Sequence, residues 1–228
     1  MITYNNTTHP SGIPDAIVEK VVNRRGRLHA FETLDPTRTA LIVVDMDSRS
    51  LEAPDNGRIR ALAEQINQIA QALRDRGGTV VWVTTPIKKA SANFIALYGE
   101  AFAKMHEGAS GTGGPATTIW SGLHTTEEDV YVKKKGVSAF FPGNCDLHDH
   151  LQLRQIQSVL IVGMVTNVCC ESTARDATEL DYQVTLVSDA MWGHKEGQHE
   201  ATLATFYRNF GDVRPTDDLL RLIKATKQ

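Results

Sequence analysis

Along the chain, short continuous apolar runs alternate with stretches in which apolar residues recur every three or four positions. Residues 39–45 (TALIVVD) form the first run, rich in branched side chains, as expected of a strand buried on both faces. Ile59, Leu62, Ile66, Ile69 and Leu73 then trace the stripe of an amphipathic helix closed by Gly77-Gly78. Further strands are predicted over 79–85 (TVVWVTT, ended by Pro86), 129–133, 158–163 and 183–187, with a short edge strand over 212–214. Helices are predicted over 167–180, 198–207 and 217 to about 225. This alternation implies a doubly wound α/β domain, with a mainly parallel sheet of about six strands and helices on both faces. Such a sheet binds ligands beyond the carboxyl ends of its strands, near the switch in strand order.

Two stretches interrupt the alternation. Residues 1–37 are polar and rich in turn formers, and read as an N-terminal arm over the surface or over a neighbouring subunit. Residues 38–228 then form a single domain in which 87–127 is an inserted, lid-like segment. That segment holds a short predicted helix (94–106) and the run GASGTGGP at 108–115. The run lacks a preceding strand and the Gly-Lys-Ser/Thr ending of a phosphate loop, so a plain connecting loop is expected.

Composition narrows the function class. With 41% hydrophobic and 22% charged residues the chain is ordinary for a globular protein. A formal charge of −3 argues against nucleic acid or an anionic membrane surface as partner. No apolar run approaches the ~20 residues of a membrane helix, and MITYNNTTHPSG has neither the basic leader nor the apolar stretch of a secretory signal. A cytoplasmic protein is the expectation. Its three cysteines (145, 169, 170) are an odd number, which speaks against a disulfide framework.

Reactive residue types collect where strands end. Asp45 closes the first strand, Lys133 and Lys134 the third, and 165–169 follow the fourth. Cys169 falls in the first turn of a predicted helix, where unpaired N–H groups and the helix dipole favour a thiolate. A buried structural cysteine fits that position equally well. Cys170 points about 100° away, on the face of Ala174 and Ala177, and reads as core. A nucleophilic thiol needs a cation and a proton carrier, which Lys134 and Asp45 on the same rim could supply. A lysine at a strand end can also simply reach solvent, and an aspartate there can cap a helix or pair with an arginine. His148-Asp149-His150 has metal-ligand residue types but no fourth ligand, two adjacent cysteines do not suit one structural zinc, and no Gly-x-Ser-x-Gly elbow is present.

Three stretches carry a resemblance to a known family: TALIVVDMD at 39–47, KKGVSAFF at 134–141 and GMVTNVCCESTARDA at 163–177. In order and strand-end placement the chain resembles the isochorismatase-like cysteine hydrolases over about residues 36–222, nearest the N-carbamoylsarcosine amidase and ureidoacrylate hydrolase branch. The resemblance implies a catalytic triad of Asp45, Lys134 and Cys169, in which Lys134 lowers the thiol pKa and Asp45 moves the proton. It also implies a cis peptide between Met164 and Val165, with the backbone N–H groups of Val165 and Cys169 forming an oxyanion hole. The implied reaction is hydrolysis of a C–N bond in a small amide, carbamoyl or ureido substrate through a thioester. The alternatives are vinyl ether hydrolysis of the isochorismatase type, or a binding domain that retains only the fold.

Departures from the family pattern refine the expectation. Met46 is followed by Asp47-Ser48-Arg49 rather than Met-Gln-Asn or Met-Gln-Asp. TTPIKK at 84–89 lacks the histidine of the nicotinamidase metal cluster, so neither metal nor other cofactor is expected. Arg49, Phe140 and Trp192 are candidate pocket walls. The family habit and the long N-terminal arm suggest a homo-oligomer, dimer or tetramer.

Overall fold

The computed structural model describes residues 9–47, 57–86, 89–108 and 118–225. Within them six parallel strands form one sheet in the order β3-β2-β1-β4-β5-β6. They are β1 (Thr39–Val44), β2 (Thr79–Thr84), β3 (Val130–Lys133), β4 (Ser158–Met164), β5 (Gln183–Trp192) and β6 (Asp212–Arg214). The order reverses between β1 and β4, so the switch in topology lies between the two central strands.

Both faces of the sheet are covered, which is why β1 is apolar without alternation: all six of its residues are buried. Ala40, Ile42 and Val44 face one core with α1 (Asp15–Arg25), α5 (Leu147–Leu153), α6 (Glu171–Glu179) and α7 (Glu196–Asn209). Leu41 and Val43 face the other, with α2 (Gly57–Arg74) and α8 (Thr216–Ala225). The α2 stripe is the predicted one, with Ile59, Leu62, Ile66, Ile69 and Leu73 all buried. No described helix is long and apolar enough to cross a membrane.

The structure adds to the sequence reading at several places. Residues 15–25 of the N-terminal stretch form α1, whose Val18, Val21 and Val22 join the core with Leu203, Phe206 and Tyr207 of the same chain's α7. The helix predicted over 94–106 is two, α3 (Ala92–Tyr98) and α4 (Glu100–Gly108), separated by Gly99 at φ 82°. Most of GASGTGGP lies outside the described residues. The predicted fifth strand ends at 187, whereas β5 runs on to Trp192. Its pairing with β4 shifts after Ile161 and resumes as Gly163 with Met191 and Met164 with Trp192. The helix predicted from 167 begins as a π-helical turn, Thr166–Cys170, before α6.

Candidate active site

The carboxyl ends of β1 and β4 lie side by side at the switch point and approach each other closely, with β2 and then β3 beyond β1. Gly163 pairs with Val44 at φ 105°, and a Cβ there would stand 2.2 Å from the Val44 carbonyl oxygen. Only glycine fits that contact. Beyond it the chain leaves β1 through Asp45, held at φ 52° with its N–H donated to the Val83 carbonyl. It leaves β4 through a cis peptide between Met164 and Val165, straight into the π-helical turn.

The three strand ends bring Asp45, Lys134 and Cys169 together. Lys134 is 1% exposed, and its Nζ lies 2.8 Å from Asp45 Oδ2 and 3.5 Å from Cys169 Sγ. It also donates to Thr85 Oγ1 at 2.7 Å and to the Gly136 carbonyl at 3.1 Å. Thr85, just past β2, donates in turn to Asp45 Oδ1 at 2.8 Å. Nothing in TVVWVTT sets its last residue apart from the strand it ends. Its signal was positional: a hydroxyl ending the strand that lies between the Asp45 and Lys134 strands.

A buried ammonium is costly without counter-charge. Burial works to lower the Lys134 pKa, but the charges of Asp45 and Cys169 and hydrogen bonds to both outweigh it, so the pKa rises and the lysine stays charged. The thiol goes the other way. Burial and the nearby Asp45 carboxylate push Cys169 up to about 12, against the downward pull of Lys134. Lys134 therefore acts on the thiol in the expected sense but does not prevail in the resting site. The thiol rests protonated, hydrogen-bonded to the carboxylate that would accept its proton.

Around the turn, the Val165 carbonyl accepts the N–H groups of Val168 at 3.1 Å and Cys170 at 3.2 Å, neither bond using the N–H of Cys169. Cys170 is fully buried among Ala174 and Ala177 in the core. Thr166, also fully buried, meets His199 Nδ1 of α7 at 2.9 Å. Burial lowers the His199 pKa, opposed by a hydrogen bond to the Ser188 backbone, and so favours the neutral ring.

The candidate pocket residues separate. Trp192 is half-buried and pairs in the sheet with Met164, beside the cis peptide, its ring against His194. Phe140 is buried in the core, 5.4 Å from the Tyr182 ring. Arg49 lies outside the described residues. The inserted segment returns to the rim, where Ile119 bridges to Asp47 and Trp120 N–H donates to the Met46 carbonyl. His148 and His150 sit within α5, where His148 Nδ1 meets the Tyr182 hydroxyl at 2.9 Å and His150 faces Asp146. Among the described residues no three His, Cys, Asp or Glu side chains gather as a metal site.

Comparison with known proteins places this rim in context. The isochorismatase domain model matches residues 39–218. An uncharacterized isochorismatase family protein of Bacillus subtilis is 27% identical over 198 residues, covering 84% of this chain and 97% of its own. Ureidoacrylate amidohydrolase RutB of Acinetobacter baylyi is 28% identical over 225 residues, covering 86% of this chain and 87% of its own. Among solved structures, a cysteine hydrolase from Pseudomonas syringae pv. phaseolicola is 25% identical with a TM-score of 0.74, covering 87% of this chain and 98% of that one. The family model begins at the first residue of β1 and ends within α8, enclosing every residue of the rim: the chain belongs to the isochorismatase-like hydrolase family.

Proposed function

We propose that the protein is a cysteine hydrolase that cleaves a C–N bond of a small amide, carbamoyl or ureido substrate through a thioester. The observation that carries this reading is the buried Lys134 ammonium, 2.8 Å from the Asp45 carboxylate and 3.5 Å from the Cys169 sulfur. A cation, a proton acceptor and a nucleophile thus share one site at the strand ends. Kinship with an amidohydrolase acting on ureidoacrylate supports the substrate class.

The thiol is not pre-ionised, so its proton leaves as the attack begins. Asp45 takes that proton while Lys134 stabilises the sulfur's negative charge. Cys169 Sγ then bonds to the substrate carbonyl carbon, and the backbone N–H groups of Val165 and Cys169 receive the developing oxyanion. As the tetrahedral intermediate collapses, the C–N bond breaks and Asp45 returns its proton to the departing ammonia or amine. Asp45 next draws a proton from water, whose oxygen attacks the thioester and releases the acid, and the thiol is restored.

Trp192, beside the Met164–Val165 peptide, walls the pocket for a small-molecule substrate. The exposed side chains of Leu97, Tyr98 and Phe102 on α3 and α4 support a homo-oligomer, which sedimentation analysis tests. The decisive experiment incubates the protein with a panel of amides, carbamoyl compounds and ureides. It follows ammonia release and looks by mass spectrometry for an acyl adduct on Cys169. Cys169→Ser is expected to abolish hydrolysis; unchanged turnover would exclude the thioester route, and a panel that releases no ammonia would favour the vinyl ether alternative.

A further inference from the structure

We infer that Thr85 is a positioning residue of this site: its hydroxyl fixes the direction of the hydrogen bonds between Lys134 and Asp45 and withholds one Lys134 proton from the Cys169 sulfur. The inference rests on the thiol-hydrolase reading above and extends it to a side chain outside the triad.

An ammonium group carries three N–H donors and no acceptor. Lys134 Nζ has four acceptors around it: Asp45 Oδ2 at 2.8 Å, Thr85 Oγ1 at 2.7 Å, the Gly136 carbonyl at 3.1 Å and Cys169 Sγ at 3.5 Å. Three donors do not serve four acceptors fully, and the sulfur is the most distant. Because Lys134 only donates, Thr85 must accept from it. The single hydroxyl hydrogen of Thr85 is then committed to Asp45 Oδ1, 2.8 Å away. The order Lys134 to Thr85 to Asp45 is thus set without reference to any assigned hydrogen position.

Two consequences follow for the thiol, on which Asp45 and Lys134 are the acting charged groups. The hydroxyl bond at Oδ1 fixes the rotation of the carboxylate and keeps it aimed. The bond from Nζ to the hydroxyl keeps the lysine from pairing more closely with sulfur. The resting thiol stays protonated and protected, and its proton leaves only when substrate arrives.

Thr85→Val keeps the shape and removes both bonds. One Lys134 hydrogen is then released toward the sulfur, and Asp45 Oδ1 loses a donor that competes with the thiol for the carboxylate. Both changes raise the thiolate share at a given pH. The reactivity of the resting thiol and the rate of catalysis should therefore move in opposite directions. In Thr85→Val, alkylation of Cys169 by iodoacetamide at pH 9 should be about threefold faster or more, as expected of a shift of about half a pH unit. Cys145 and Cys170, followed by peptide mass spectrometry, should alkylate as in the wild type, because loosened packing would expose all three. Over the same substitution kcat should fall by about 10- to 100-fold with little change in KM. Thr85→Ser, which keeps the hydroxyl, should restore both properties.

Alkylation needs no substrate, so it tests Thr85 even if no member of the panel is hydrolysed. Failure of the wider reading shows separately, as hydrolysis by Cys169→Ser. Cys169 alkylation unchanged in Thr85→Val, or a serine variant as altered as the valine one, would overturn the inference.

Discussion

At each end of β3 a carboxylate is paired with a cation, and the two pairs are built differently. Asp129 at the amino end is buried, whereas Asp45, reaching in from β1 at the carboxyl end, is only partly so. At the amino end, Asp129 receives Arg74 Nε at 3.0 Å on Oδ1, and Arg74 Nη2 at 2.7 Å on Oδ2. Trp82 Nε1 at 2.8 Å and the Thr126 N–H at 2.9 Å complete the cover of Oδ2. The planar guanidinium grips both oxygens, and indole and backbone fill what remains. At the carboxyl end, Asp45 receives one lysine and one hydroxyl, and its neighbour is a thiol with a proton to give. Saturated with fixed donors, a buried carboxylate is a rivet. With lone pairs left over beside an acid, it is a base.

The comparison breaks most strongly at Asp45. Asp45→Asn keeps the shape and removes the proton acceptor proposed above, and turnover of any substrate found should fall by about 100- to 10,000-fold. Stability should fall much less. The lysine left without its carboxylate still faces Cys169, whose thiol can ionise and replace the lost charge. Steady-state kinetics and thermal unfolding on the same preparation check both statements. A collapse of stability with activity retained per folded molecule would mean that Asp45 is a rivet as well.

Asp129 should show the opposite pattern. Among the described residues Asp129 is the carboxylate paired with Arg74, so Asp129→Ala strands a largely buried guanidinium and a buried indole N–H. Breaking such a pair by removing one partner costs about 3–5 kcal/mol. Urea unfolding should show that loss, with kcat and KM per folded molecule near the wild-type values. A comparable drop in kcat would tie the two ends of β3 together.

What the sequence disclosed of these two ends follows from what each depends on. The strands were legible because β1 and the core of β4 are buried on both faces and carry continuous apolar runs. Asp45, Lys134 and Cys169 were legible because strand ends in a doubly wound sheet are where reactive residues gather. Thr85 and Asp129 were not legible, since their side-chain partners lie at least 40 residues away in sequence. The extension of β5 to Trp192 was hidden by polar Ser188 and Asp189. Asp189 turns out to receive the N–H and hydroxyl of Thr216, at the start of α8. Helix α1 left a local signal that went unread. Pro14 precedes it, Val18, Val21 and Val22 recur at helical spacing, and Gly26 closes it in the left-handed conformation at φ 78°.

The smallest predicted effect uses pH to test whether Asp129 is as fully committed as its contacts imply. Burial alone would raise its pKa. The hydrogen bonds from Arg74, Trp82 and Thr126, with the Arg74 charge, more than offset that and hold it below the ordinary 3.8. A carboxylate with a depressed folded pKa contributes stability that is fully present above its unfolded value and is lost as pH falls through the folded one. The stability gap between wild type and Asp129→Asn should therefore stay level from about pH 8 to pH 5 and narrow below about pH 4, by on the order of 1 kcal/mol. His9 loses stability in a higher window. Burial, with the charge of His29 adding to it, lowers its pKa from 6.5 to about 4, so the folded state resists a proton that the unfolded chain accepts. That loss is common to both proteins and cancels in the difference. Urea titrations of the pair across this range give the gap directly. A gap that stays level down to pH 3 would mean that Asp129 keeps its proton affinity despite four donors, and the distinction between rivet and base would then need another cause.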